Sequence, residues 1–190
     1  PNEVTAYTIN QVCGSGLRSI ALGWQSIMND ESEIIVAGGQ ENMTQAPHCF
    51  HLRQTGKIGD AEMIDSMIKD GIWDIFNGYH MGVTAENVAE KWQITRDQQD
   101  EMALNSQLKA EEAQKNGKFQ KEIVSVPVQL KTGTVIVRDD EYPRHGCTLD
   151  NLKNLKPAFK KDGTVTAGNA SGINDGAAAV VIMKLEKAEK

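Results

Sequence analysis

The sequence predicts an α/β fold made of βαβ core elements, with an α+β subdomain inserted between them. Three observations carry that prediction. The runs Val4–Asn10, Glu33–Ala37 and Ala177–Met183 are β-branched or apolar and read as strands. Between the first two, Leu17, Ile20, Ala21, Trp24, Ile27 and Met28 recur at helical spacing. From about Thr44 the composition shifts to Pro47, His48, His51, Lys57 and glycines, the mark of an irregular connection. Strand, helix, strand in this order predicts a parallel pair with a right-handed crossover.

Taken in order, the first strand runs into Val12-Cys13-Gly14-Ser15-Gly16. Cys13 is thus expected at a strand-to-helix turn. Free N–H groups and the macrodipole at a helix N-terminus favour negative charge, and a thiolate is the reactive form of cysteine. Cys13 is therefore the candidate nucleophile, against the commoner role of cysteine as a small buried apolar residue. Gly14, Gly16 and Ser19 approach a dinucleotide fingerprint but lack its third glycine.

Glu33–Ala37 ends in Gly38-Gly39 and reads as a buried strand. Ile58–Lys69 has a partly helical stripe of Met63, Ile64, Met67 and Ile68. Ala85, Val88, Ala89 and Trp92 predict an amphipathic helix directly after His80-Met81-Gly82. Thr95 and Gln98 form a capping box for the next helix. That helix carries Ala103, Ser106, Ala110 and Ala113 and ends at Asn116-Gly117. Ile123–Leu130 and Thr134–Arg138 then predict a hairpin about Lys131-Thr132-Gly133, with Pro127 confining its strand to an edge or bulge. Leu149, Leu152 and Leu155 space a short apolar stretch before Pro157. The closing run Ala177–Met183 predicts a strand buried on both faces. Few other strands are available to cover it, as expected of a piece of a longer protein.

The composition bounds the function. At 190 residues with 39% hydrophobic and 24% charged residues, the chain suits an ordered globular protein. A net charge of −6 argues against nucleic acid as a partner. No apolar run reaches membrane-spanning length, so no membrane is expected. The 3 cysteines, Cys13, Cys49 and Cys147, are widely spaced without C-x-x-C, which suits a reducing, cytoplasmic setting. His48-x-x-His51 beside Cys49 has no second ligand pair at zinc-like spacing, so no metal is expected. Arg144-His145-Gly146 offers a loop cation suited to phosphate. The glycine-rich stretch Gly168–Gly176 is either a turn or a place where a ligand approaches the backbone.

Five separated motifs together resemble the thiolase family, in particular its acetyl-CoA C-acetyltransferases. They are Gln11-Val12-Cys13-Gly14-Ser15-Gly16-Leu17, Ala37-Gly38-Gly39-Gln40-Glu41-Asn42-Met43 and His80-Met81-Gly82-Val83-Thr84-Ala85-Glu86-Asn87-Val88-Ala89. The others are Asp140-Glu141-Tyr142-Pro143-Arg144-His145-Gly146 and the run from Val165 to Ala179. The resemblance implies a partial thiolase fold matching the middle portion of the subunit. Residues 1–44 and 174–190 would belong to the N-terminal core domain, residues 45–173 would form a loop domain, and the C-terminal domain would be absent.

It further implies that Cys13 is acylated by an acyl-CoA and lends its own N–H to an oxyanion hole. Arg144 would lie beside the nucleotide end of coenzyme A. Phe159, Ala167 and Ser171 would line the pantetheine channel, with His80 and Met81 near the acyl end. Coenzyme A thioesters are substrates, and no cofactor is implied. The segment Pro47–Met67 resembles the one through which such dimers pair into homotetramers. The family's Asn-Glu-Ala-Phe, Gly-His-Pro and Cys-x-Gly-Gly-Gly motifs have no counterpart here, and Asn151 and Ile72 depart from its coenzyme A channel. The chain alone is therefore expected to be inactive. The alternatives are a degradative 3-ketoacyl-CoA thiolase, against which His80 counts because such relatives tend to carry Pro there, and a non-catalytic acyl-CoA- or lipid-binding fragment.

Overall fold

The computed structural model describes residues 2–50, 60 and 62–190. In chain order it contains α1 (Ser15–Met28), β1 (Ile34–Glu41), α2 (Met81–Trp92) and α3 (Arg96–Lys115). Then come β2 (Val126–Leu130), β3 (Gly133–Val137), α4 (Leu149–Lys153), β4 (Gly176–Met183) and a short helical turn, Leu185–Ala188. The chain divides into two compact units, Pro1–Trp73 with Ile173–Lys190, and Asp74–Gly172. Among the described residues no helix is long and apolar enough to cross a membrane.

The first unit is built on β1 and β4, which pair antiparallel with Ile35 opposite Ile182 and Val36 opposite Val181. Residues directly opposed in an antiparallel pair share a face. The face with Ile35, Ala37 and Ile182 lies under α1, where Gly23 lets the helix approach closely. A Cβ on Gly23 would sit 3.2 Å from both Ile35 and Ile182. The Ser19 hydroxyl donates to the Gly38 carbonyl at 2.9 Å and fixes the helix along the strand. Just beyond the Glu41–Gly176 end of the pair, Thr44 donates from its N–H and hydroxyl to Asp175. The exposed pairs Lys184–Asp30 and Lys187–Glu33 flank the exit of β4.

Several expectations for this unit are corrected. Val4–Asn10 joins no ladder among the described residues, so the parallel pair does not form. β1 pairs with the strand whose apolar side chains share the cover of α1, although that strand follows more than a hundred residues later. β4 is not buried on both faces: Val181 is exposed along with Ile34 and Val36, because the side of the sheet away from α1 carries no covering layer among the described residues. On α1, Ile27 is buried but Leu17, Trp24 and Met28 are exposed, so the apolar stripe is wider than the surface it covers. Ile64–Asp65 is not helical. It pairs antiparallel with His48–Cys49, and a π-type turn follows over Met67–Ile72. Residues 58, 59 and 61 of the predicted stripe segment, and His51 of the histidine pair, lie outside the described residues.

The second unit keeps the predicted helices. α3 starts at the Thr95–Gln98 capping box and ends at Asn116, with Gly117 at φ +64° where a left-handed residue is needed. α2 begins at the residue after His80, but its buried face is Gly82, Glu86 and Ala89. Val88 and Trp92 of the predicted stripe are exposed, because a hydrogen-bonded carboxylate occupies the inner position. β2 and β3 pair with Leu130 opposite Gly133, leaving a two-residue connection, and Pro127 sits in a strand with one open edge. α4 starts at a second capping box, Thr148 with Asn151, and buries Leu152.

Candidate functional site

Cys13 is exposed and lies one residue before Gly14, the N-cap of α1. Asn10, Gln11, Val12 and Ser15 fold the turn around it. The Val12 N–H donates to the Asn10 side chain at 2.8 Å, and the Gly14 N–H donates to the Gln11 carbonyl at 3.0 Å. Ser15 Oγ accepts from the Gln11 N–H and donates to the Val12 carbonyl, each at 2.7 Å. Val12 is held at φ +50°. That is a left-handed conformation that a β-branched residue adopts only at a cost. The strain sits directly before the candidate nucleophile and turns the chain sharply into the helix. Sequence reading found Cys13 but not Val12, since nothing in a valine announces a positive φ.

The other predicted residues belong to the second unit. His80 is the N-cap of α2: its Nδ1 accepts from the Gly82 N–H at 2.9 Å. Neutral His80 therefore carries its proton on Nε2. Its ring stacks on Phe159, with centroids 4.8 Å apart and planes at 23°. A side chain on Gly82 would overlap that phenyl ring, so the ring lies directly on the first turn of the helix. Met81 begins α2 and is exposed. The structure thus brings His80, Met81 and Phe159 together.

Arg144 lies in a loop laced onto α3. Its N–H donates to Gln107 at 2.8 Å, His145 Nε2 bonds Gln114 at 2.5 Å, and the Gly146 N–H donates to Glu111 at 3.0 Å. The Arg144 side chain stays exposed. The Tyr142 phenol lies against Gly172, which brings the Arg144 loop beside Ser171. Ala167 and Ser171 are exposed, whereas Val165 and Thr166 just before them are buried, Val165 with its N–H on Glu86 of α2. Asn151, flagged as a departure from the family's channel, accepts from the Thr148 N–H and hydroxyl in the α4 cap. Ile72 closes the π-type turn of the first unit.

Sequence reading missed the polar residues that hold this surface. Glu86 accepts from the Thr164 N–H, the Thr164 hydroxyl and the Val165 N–H, at 2.8–2.9 Å. Burial pushes its carboxyl up, but these donors and the Lys160 ammonium outweigh that and hold it below the usual carboxylate range. Asp100 is fully buried and pairs with Arg96 at 2.7 Å. The available signal was the position of Glu86, four residues after Gly82 and three before Ala89, on what becomes the inner face.

A family model described as the N-terminal domain of thiolase matches residues 1–186. The chain belongs to the thiolase family. Because the matching model is the N-terminal domain, the match lies there and not in the middle of the subunit. This thiolase chain is 62% identical over 183 residues to an acetyl-CoA acetyltransferase of Rhizobium meliloti, covering 96% of the chain and 47% of that protein. Its fold is similar to the crystal structure of the Bacillus anthracis acetyl-CoA acetyltransferase, with TM-score 0.89 and 40% identity. It is similar in the same degree to human mitochondrial 3-ketoacyl-CoA thiolase, with TM-score 0.90 and 42% identity. Both alignments cover 100% of this chain and 48% of the solved chain. The thiolase chain thus spans about half the length of the relatives it matches.

Proposed function

We propose that this chain supplies the nucleophile and the acyl-CoA-binding surface of an acetyl-CoA acetyltransferase, which condenses two acetyl-CoA into acetoacetyl-CoA and coenzyme A or runs the reverse cleavage. The observation that carries the reading is Cys13, exposed at the N-terminus of α1 behind a strained residue. The Cys13 thiolate attacks the thioester carbonyl of acetyl-CoA, a C–S bond to Cys13 forms, and the bond to coenzyme A breaks. Coenzyme A leaves as its thiolate and takes up a proton. A second acetyl-CoA, deprotonated at its α-carbon, attacks the acyl-Cys13 carbonyl and regenerates the Cys13 thiolate. Enolate charge needs stabilisation as well as a base, and the family motifs that supply the base have no counterpart in this sequence. Turnover by this chain alone is therefore not expected.

His80, Met81 and Phe159 form the acyl and pantetheine wall in this reading, continued by Ala167 and Ser171, with Arg144 at the nucleotide phosphates. Homotetramer formation through Pro47–Met67 is part of the same proposal. Peptide mapping after acetyl-CoA treatment tests the nucleophile: acetyl on Cys13 and its loss in Cys13→Ser are expected. Acetylation at Cys49 or Cys147 instead would overturn the assignment. Similarity to a 3-ketoacyl-CoA thiolase supports a second reading with longer substrates. Acylation of Cys13 across a series of acyl-CoA chain lengths separates the two, with the first favoured if acetyl-CoA reacts fastest.

A further inference from the structure

Two carboxylates in the second unit are buried and hydrogen-bond to none of the residues assigned to coenzyme A. Glu86 is 5% exposed and Asp100 is 0% exposed. Their hydrogen bonds converge on one loop. Glu86 takes the N–H groups of Thr164 and Val165 and the Thr164 hydroxyl. Asp100 accepts from the Asn169 side-chain amide at 2.9 Å, and that amide also donates to the Thr164 carbonyl at 3.1 Å. The Asn169 side-chain oxygen accepts from the Thr166 N–H at 2.7 Å. Gln99 donates to the Thr164 hydroxyl at 2.8 Å, and Arg96 links Asp100 to the carbonyls of Leu152 and Leu155. Among the described residues no buried side-chain nitrogen or oxygen lacks a partner.

Apolar side chains would hold this loop against α2 and α3 at less cost in desolvation. What carboxylates add is direction: each accepts only, so each selects particular N–H groups. Here the selected donors lie in Thr164–Asn169, with Val165 and Thr166 turned inward and Ala167 and Ser171 left exposed. We propose that Glu86 and Asp100 are positioning residues, which hold the loop Thr164–Ser171 in the one conformation that presents Ala167 and Ser171 to a coenzyme A thioester. The proposal rests on the acyl-CoA reading of those two residues. Neither carboxylate touches the ligand; each acts through the loop backbone or through Asn169. Lys160 is the charged group that faces Glu86, and Arg96 the one that faces Asp100.

The test uses the isosteric variants Glu86→Gln and Asp100→Asn. Each places an NH2 donor against groups that already donate. Both should still melt cooperatively, while the Ala167 and Ser171 amide resonances broaden or split in nitrogen–proton correlation spectra. Coenzyme A, followed by calorimetry, should bind about tenfold more weakly if the competent loop falls to about a tenth of the population. In the unmodified chain, the Thr164, Val165 and Ala167 amides should share one acid titration midpoint, and this should vanish in Glu86→Gln. That titration needs no variant of Asp100 and decides the matter if the latter fails to fold. Unperturbed Ala167 and Ser171 resonances in both variants, or titration of Thr164 and Val165 without Ala167, overturns the proposal. If the unmodified chain binds no coenzyme A while the shared titration is present, the acyl-CoA reading falls and the coupling of loop to carboxylates stands.

Discussion

The Ser15 hydroxyl donates to the carbonyl of Val12 at 2.7 Å, across the turn that contains Cys13. Because the same oxygen accepts from the Gln11 N–H, Ser15 holds both ends of a backbone that Val12 would otherwise leave. Ser15→Ala should cost about 1 kcal/mol in denaturant unfolding. Val12→Gly should instead stabilise by about 1 kcal/mol, since glycine adopts a positive φ freely. A destabilised Val12→Gly would show that the turn is not strained. Iodoacetamide labelling of Cys13 should change in Ser15→Ala, because the thiol no longer holds one place at the helix terminus.

His80 caps α2 through an acceptor nitrogen, not through the oxygen that most caps use. His80→Ala should cost about 1 kcal/mol, and His80→Asn should recover most of it by offering a side-chain oxygen to the Gly82 N–H. Nitrogen NMR of the neutral ring should place the proton on Nε2. A proton on Nδ1 would exclude the observed cap.

Glu86 gives the second unit an acid-sensitive stability. Its folded pKa lies below the ordinary value of 4.5, so its contribution is complete above that pH and is lost as pH falls through the folded value. Denaturant unfolding followed from pH 6 downward, roughly the onset of carboxyl titration, should show a falling limb that flattens in Glu86→Gln. The variant should also lose about 1–3 kcal/mol at neutral pH, where one acceptor oxygen has become a donor. An unchanged acid limb would remove Glu86 as its source.

Arg144 is exposed on a loop whose backbone is tied to α3, so its side chain is available without disturbing the fold. Arg144→Ala should weaken coenzyme A by about 1.5–3 kcal/mol, the value of a charge-assisted phosphate hydrogen bond. A pantetheine thioester without the nucleotide should bind the variant and the unmodified chain alike. Calorimetry showing equal losses for both ligands would take Arg144 out of the site.

The features legible in the sequence are those that neighbouring residues decide. α3 is bounded by Thr95 with Gln98 and by Asn116-Gly117, all within one helical turn of its ends, so its limits were readable. The β2–β3 hairpin was readable for the same reason, since Leu130 and Gly133 pair across two residues. Cys13 was found through its glycines and the helical spacing that follows it, and its place before α1 holds. Tertiary structure alone decided what depends on distant partners. Val4–Asn10 has the composition of a strand, yet a strand exists only where another offers its N–H and C=O groups, and β1 takes β4. Glu86 reads as an ordinary helix charge until Thr164 and Val165, far along the chain, bring their N–H groups to it. Likewise Val12 takes its left-handed φ because Asn10, Gln11 and Ser15 together hold its amide and carbonyl, a closure that residue-by-residue propensity does not contain.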